Sequence, residues 1–242
     1  SGFGSIVKKI GAKKPAQIKH NGSCTEFWPE MTEYAELQIT SNFSFLRGAS
    51  HPEEIVLQAS AFGYYAIGIA DRNSLAGVVR AHIATKEMGV KLCVGARLDL
   101  SDGMSFLAYP TDRAAYGRLS RLITLGRRRS PKGKCEIHLI DVLEWGKGMV
   151  FLAVPPSRFI STQMEIEKVA KSSPGSGFLG NDGDHFTTQL SELNLIFPGN
   201  CYLIANHLLR GDDTVRLAEL FKVAKQCGTP LVAANDVHMH TA

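Results

Sequence analysis

An uninterrupted apolar run, residues 66–70, ends on Asp71 and leads into a helical stretch closed by Gly89, and this unit limits the chain to few architectures. A strand with no polar alternation is buried on both faces, as in parallel sheets covered by helices. The same alternation of strand and helix recurs along the chain. Residues 35–40 alternate as a short strand, and a helix opens at 51–54 with Ser50 as N-cap and Pro52 in its first turn, running to Gly63. Two strands, 91–100 and 104–109, flank a Ser101-Asp102-Gly103 hairpin turn, and Thr111 or Asp112 caps a helix to about 125. A short helix over 136–145, a strand over 148–154, a strand over 201–206, a helix over 214–226 capped by Asp213, and a strand over 230–234 follow. Residues 171–197 carry a poor signal, with Asn181-Asp182-Gly183-Asp184 marking a loop. The pattern predicts one α/β domain with a barrel-like parallel sheet.

Composition narrows the function classes. The chain has 242 residues, 44% hydrophobic and 21% charged, and no apolar run approaches a membrane span. Its formal charge of +4 is uneven: five lysines against Glu26 and Glu30 give +3 over residues 1–30 and leave +1 for the rest. The body is therefore not a broadly basic nucleic-acid surface. Met31-Thr32 has the look of a natural start, so residues 1–30 are expected to be a disordered or non-native extension and 31–242 the domain, with a fragment boundary close after the last strand. Cys24, Cys93, Cys135, Cys201 and Cys227 are widely spaced with no C-x-x-C pair, which argues against zinc and fits a reducing cytoplasm.

Catalytic groups of a (β/α) barrel sit at the carboxyl ends of its strands, where Asp71 falls. Its neighbour Arg72 cannot coordinate a cation, because a guanidinium is always protonated and offers no lone pair. After the last strand, Asp236, His238 and His240 share one face of an extended continuation, a plausible divalent-metal trio. The alternative is that Asp236 caps a turn and the histidines lie at a surface. The densest basic run, Arg127, Arg128 and Arg129 with Lys132 and Lys134, is either a solvated or interdomain loop or a contact with DNA phosphate. Phe43 and Phe45 are expected in the core. No phosphate-binding loop, nucleophile elbow or dinucleotide fingerprint occurs.

Four stretches occur in the order found in one family: 38–50 (Gln38-Ile39-Thr40-Ser41-Asn42-Phe43-Ser44-Phe45-Leu46-Arg47-Gly48-Ala49-Ser50), 66–77, 125–135 and Ala234-Asn235-Asp236-Val237-His238. In this the chain resembles the N-terminal domain of bacterial C-family DNA polymerases, of the error-prone translesion branch. That domain is of the polymerase and histidinol phosphatase (PHP) type, a distorted (β/α)7 barrel. The resemblance implies a parent enzyme with DNA-directed DNA polymerase activity in damage-induced translesion synthesis, repair and replication. It implies Mg2+ on a palm absent from this chain. The implied partners are the remaining polymerase domains, DNA, translesion accessory proteins and the sliding clamp, in the cytoplasm with no membrane.

The resemblance also bears on the metal site. Metal-binding PHP domains carry a His-x-His pair where this chain has Gln38 and Thr40, an Asp-His where it has Asp71-Arg72, and a Glu where it has Arg97. Asp71, Asp236 and His238 remain. The expectation is a degenerate site without metal, in which Arg72 and Arg97 pair with Asp71 and Asp236, Gln38 and Thr40 support them, and the fragment serves as a structural and docking module with no catalytic residue. The competing reading is a metal-dependent phosphoesterase or proofreading 3′–5′ exonuclease using Asp71, Asp236, His238 and His240, although three or four ligands hold two metals poorly. A weaker third is a free-standing scaffold for a partner protein.

Overall fold

In the computed structural model, residues 34–156, 181–209 and 211–241 are described. The expected extension at 1–30 lies outside them. Seven strands form one sheet in sequence order: β1 (Ala35–Ile39), β2 (Ala66–Arg72), β3 (Lys91–Asp99), β4 (Ser105–Pro110), β5 (Met149–Val154), β6 (Cys201–Ala205) and β7 (Leu231–Ala233). All run parallel except β4, which pairs antiparallel with both neighbours. The Ser101-Asp102-Gly103 turn explains that reversal, because it returns the chain directly into β4 with Gly103 at φ 97°. The connecting helices are α1 (Pro52–Ala61), α2 (Val78–Met88), α3 (Arg113–Arg129), α4 (Leu139–Trp145), α5 (Asn181–Ile196) and α6 (Asp213–Cys227).

The sheet curls until its ends meet. Beyond β7 the chain bonds back to β1, Val237 N donating to the Gln38 carbonyl at 2.8 Å and Thr40 N to the Val237 carbonyl at 2.9 Å. One apolar cluster, including Leu37, Ala66, Cys93, Leu107, Tyr109, Leu152, Ile204 and Ala234, draws on the strands and the segment after β7 and on no helix, so it fills the barrel. The helices cover the outer face in two further clusters, α1 and α2 against Ile39, Ile67 and Ile69, and α3 to α6 against Ala96, Leu98, Phe106 and Phe151. Tyr109 crosses the interior and donates to the Leu37 carbonyl. Its ring lies so close to Gly68 and Gly95 that neither position has room for a Cβ.

Several sequence expectations need correction. β1 is buried along its whole length rather than on one face, because Glu36 and Gln38 find polar partners inside the wall. The cap of α1 is His51, in a reciprocal capping box with Glu54, rather than Ser50. Ser50 is used elsewhere, bonding His240 through both its ring Nδ1 at 2.7 Å and its backbone N at 2.8 Å. Helix α3 continues to Arg129 because Gly126 does not stop it: a Cβ there would lie 2.5 Å from Ile137, so this glycine is a close-approach residue. Asp112 caps α3 as expected, accepting from Ala115 N at 2.7 Å. Helix α6 begins at Asp213 with Asp212 as its cap, and the Asp213 carboxylate instead accepts from Leu208 N. Helix α5 occupies residues expected to form a loop, carried by Phe186, Leu190 and Leu193 at helical spacing and fully packed. Phe43 and Phe45 are not core: they are 39% and 83% exposed.

Candidate functional site at the barrel mouth

Strands β2 and β3 run in register, Ala66 opposite Lys91 through Arg72 opposite Arg97, and that pairing builds the mouth. Arg72 and Arg97 follow Ala70 and Cys93 on the inward face at the carboxyl ends of their strands. Asp99 lies two residues beyond Arg97 on the same face. It receives Arg72 Nη1 at 2.7 Å, Arg97 Nε at 2.8 Å and Ser105 Oγ at 2.7 Å. Burial alone would raise the Asp99 carboxyl, but the two guanidiniums and the hydroxyl outweigh it and hold the group below the ordinary carboxylate range. Burial lowers the Arg72 guanidinium, reinforced by Arg97 and only partly opposed by Asp99.

The arginines therefore do not pair with Asp71 and Asp236 as expected. Period-two alternation turns Asp71 away from Arg72, onto the helix side of the sheet. There it is almost completely buried and accepts from Ser41 N at 2.9 Å, Ser41 Oγ at 2.8 Å and Ser44 Oγ at 2.7 Å. Gly77 is required beside it, since a Cβ would lie 2.6 Å from Asp71 Oδ2. Asp236 does line the mouth, at φ 54°, but its partners are Gln38 Nε2 at 2.6 Å and His238 Nε2 at 3.4 Å. Gln38 in turn accepts from Asn206 Nδ2, which also donates to the Ala234 carbonyl. Thr40 is buried, its backbone closing the barrel.

The alternative ligand set is dispersed. Asp236 and His238 are together, but His238 Nδ1 faces the Arg47 carbonyl at 3.1 Å, His240 is drawn to Ser50 and Glu54, and Asp71 is committed to its serines. Among the described residues no three His, Cys, Asp or Glu side chains are grouped to hold a metal ion. The donors present do not fit the metal centre that the resemblance implies.

A cavity of about 370 Å³ opens at this mouth, lined by Gln38, Arg72, Arg97, Asn206, Arg216 and Asp236 among others. Arg216, from α6, is not foreseen by the sequence patterns, and neither are Asp99, Ser41, Ser44 or Asn206. Asp99 carries a readable signal, an acid spaced two residues from Arg97 on a strand, but Arg216 is indistinguishable in sequence from a surface helix cation.

The basic run is not a single feature. Arg127 to Arg129 form the last turn of α3, where cations complement the helix dipole. Arg129 is held bidentate by Asp141 at 2.5 and 2.9 Å, and Arg127 donates to the Asn73 carbonyl at 3.0 Å. Arg128, Lys132 and Lys134 are exposed. Lys132, Lys134 and Arg127 line a groove of about 630 Å³ with Arg47, Arg72 and the exposed Phe45.

Comparison with known proteins bears on the fold and the family. The PHP domain model matches residues 36–155. An error-prone DNA polymerase of Caulobacter vibrioides is 44% identical over 208 residues, covering 86% of this chain and 17% of that protein. Error-prone DNA polymerase 2 of Agrobacterium fabrum is 41% identical over 207 residues, with the same coverage of each chain. The chain thus spans 17% of the length of these curated relatives. Among solved structures, one described as a metal-dependent phosphoesterase from Bifidobacterium adolescentis superposes with a TM-score of 0.57 at 16% identity, over 84% of this chain and 87% of that one. An amidohydrolase from Chromobacterium violaceum, with bound sulfate and no metal, gives 0.50 at 16% identity, over 85% of this chain and 87% of that one. At that identity the two show the barrel fold alone, whereas the match to the PHP model and the 41–44% identity to error-prone polymerases place the chain in the PHP domain family of those enzymes.

Proposed function

We propose that this chain is the PHP domain of an error-prone DNA polymerase acting in translesion synthesis and repair, and that its barrel serves as a structural and docking module rather than a catalytic one. The observation that carries the reading is the convergence of Arg72 and Arg97 on Asp99 where metal-binding members of the fold keep ligands. Two permanent cations sharing one carboxylate oppose a divalent ion at the same mouth. Nucleotidyl transfer, with its Mg2+, belongs to other domains of the parent enzyme. Those domains and DNA are the partners, with the sliding clamp and translesion accessory proteins acting on the whole polymerase in the cytoplasm.

The surviving rival is a metal-dependent phosphoesterase or 3′–5′ exonuclease built on Asp71, Asp236, His238 and His240. The scatter of those four groups among serine, glutamine and backbone partners speaks against it. An assay with a chromogenic phosphodiester and added manganese tests both readings. The docking-module reading expects no turnover above buffer, and chelator-sensitive turnover lost in Asp236→Asn would replace it with the rival.

The groove beside the mouth supports a subsidiary role in DNA or interdomain contact. Lys132 and Lys134, which line it, are the cations of the run best placed to serve it, with the exposed Arg128 as a further cation outside its lining, since Arg127 and Arg129 already hold the Asn73 carbonyl and Asp141.

A further inference from the structure

The cavity at the barrel mouth is lined by three guanidiniums, from Arg72, Arg97 and Arg216, and they are incompletely matched. Arg72 and Arg97 share Asp99, and Asp236 is engaged by Gln38 and His238. Arg216 is buried, 8% exposed, and its Nε has no hydrogen-bond partner among the described residues; Arg72 Nε is buried and unpartnered as well. A buried donor left without an acceptor is costly, and a charged one more so. Both residues line the same cavity, so an acceptor there would meet guanidiniums whose hydrogen bonding among the described residues is incomplete. The neutral amides do not supply it: Gln38 Nε2 donates to Asp236, and Gln38 Oε1 accepts from Asn206. Of the charged residues lining the cavity three are arginines and one, Asp236, is an acid; with Asp99 behind Arg72 and Arg97, these five groups carry one positive charge in excess. Forked N–H donors around a roughly 370 Å³ space suit a tetrahedral oxyanion, which takes parallel hydrogen bonds from arginine.

We propose that the barrel mouth binds a phosphate-type oxyanion without a metal, held by Arg72 and Arg216 with Arg97 behind them. The loss of the metal ligands then amounts to an inversion of the site, from cations bound by carboxylates to an anion bound by cations. The inference rests on the metal-free reading of the mouth. The same chemistry is offered by free inorganic phosphate and by the terminal phosphate of a DNA strand.

The test begins with the full chain, its metal content measured and residual metal removed by chelator, titrated with inorganic phosphate by calorimetry. Saturable binding is expected without added metal. Arg216→Gln and Arg72→Gln should each weaken it about ten- to a hundredfold, the loss of one charged hydrogen-bonding partner. Arg80→Gln, at an exposed arginine paired with Glu53, should leave it unchanged. Arg216→Lys keeps the charge but not the fork and should fall between, which guards against a poorly folded glutamine variant. A 5′-phosphorylated oligonucleotide that binds more tightly than its 5′-hydroxyl twin, with the difference abolished in Arg216→Gln, assigns the site to a strand end; equal binding of the two, with inorganic phosphate still bound, assigns it to the free anion. No saturable phosphate binding by metal-free wild type, or binding indifferent to Arg216→Gln, overturns the proposal. Stoichiometric metal in the untreated chain would instead overturn the metal-free reading beneath it.

Discussion

Replacing Asp99 by Asn removes the charge that Arg72 and Arg97 share and keeps the side chain's shape. Three bonds of 2.7 to 2.8 Å converge on the carboxylate. Breaking a fully buried ion pair costs about 3–5 kcal/mol, whereas exposed pairs contribute about 0–1 kcal/mol. Here the side chains of Arg97, Asp99 and Arg72 are 13%, 27% and 29% exposed, so solvent screens part of the interaction. The expected loss is about 2 kcal/mol, equivalent to about 4–8 °C in Tm for a domain of this size. Urea or thermal unfolding of wild type, D99N, R97M and the double variant measures it, with a coupling energy of about 1 kcal/mol expected between Asp99 and Arg97. The pH dependence has a definite sign. A carboxyl held below its ordinary value of 3.8 contributes stability above that pH and loses it as the pH falls through the folded-state value. The gap between wild type and D99N is therefore full at neutral pH and closes below 3.8. A loss under about 0.5 kcal/mol at pH 7, or no coupling to Arg97, would refute the shared-carboxylate account.

Three further outcomes are expected. Gly77→Ala forces a Cβ to 2.6 Å from Asp71 Oδ2 and should cost about 1–3 kcal/mol in denaturant unfolding; a neutral effect would mean the Asp71 pocket gives way freely. Burial pushes the Cys93 and Cys201 thiols up to about 12, so neither should be alkylated in the native chain at pH 8, with both reacting after denaturation; rapid native labelling would contradict their burial. In the full-length polymerase, replacing Arg128, Lys132 and Lys134 together should reduce the slope of log affinity against log salt by about 0.9 for each primer-template phosphate left without its cation, while Arg129→Ala should act through stability alone. An unchanged slope in the triple variant would make this surface an interdomain or solvated one.

The barrel is legible in the sequence where burial leaves a one-dimensional trace. The apolar run before Asp71, the Gly89 helix stop and the Asp112 cap each depend on residues adjacent in sequence. The site is legible as a set of positions but not as a set of bonds. Strand alternation alone separates Asp71 from Arg72, but which acid Arg72 and Arg97 then take depends on how β2 and β3 are registered and which way their side chains face. Arg216 and Asn206 enter the mouth only through the closed barrel, at sequence separations that no local pattern records. Gly126 resembles a helix end because its requirement is tertiary, a close approach to Ile137. Phe43 and Phe45 read as core by type, yet they project from the loop after β1 at 39% and 83% exposure.

In the function proposed above, an arginine–carboxylate cluster stands at the barrel mouth in place of metal. Metal analysis of the purified chain, before any chelator and again after dialysis against manganese and zinc, addresses it most directly. Substoichiometric metal is expected in both cases, unchanged in Asp236→Asn. Stoichiometric manganese or zinc that survives dialysis and is lost in Asp236→Asn would contradict it.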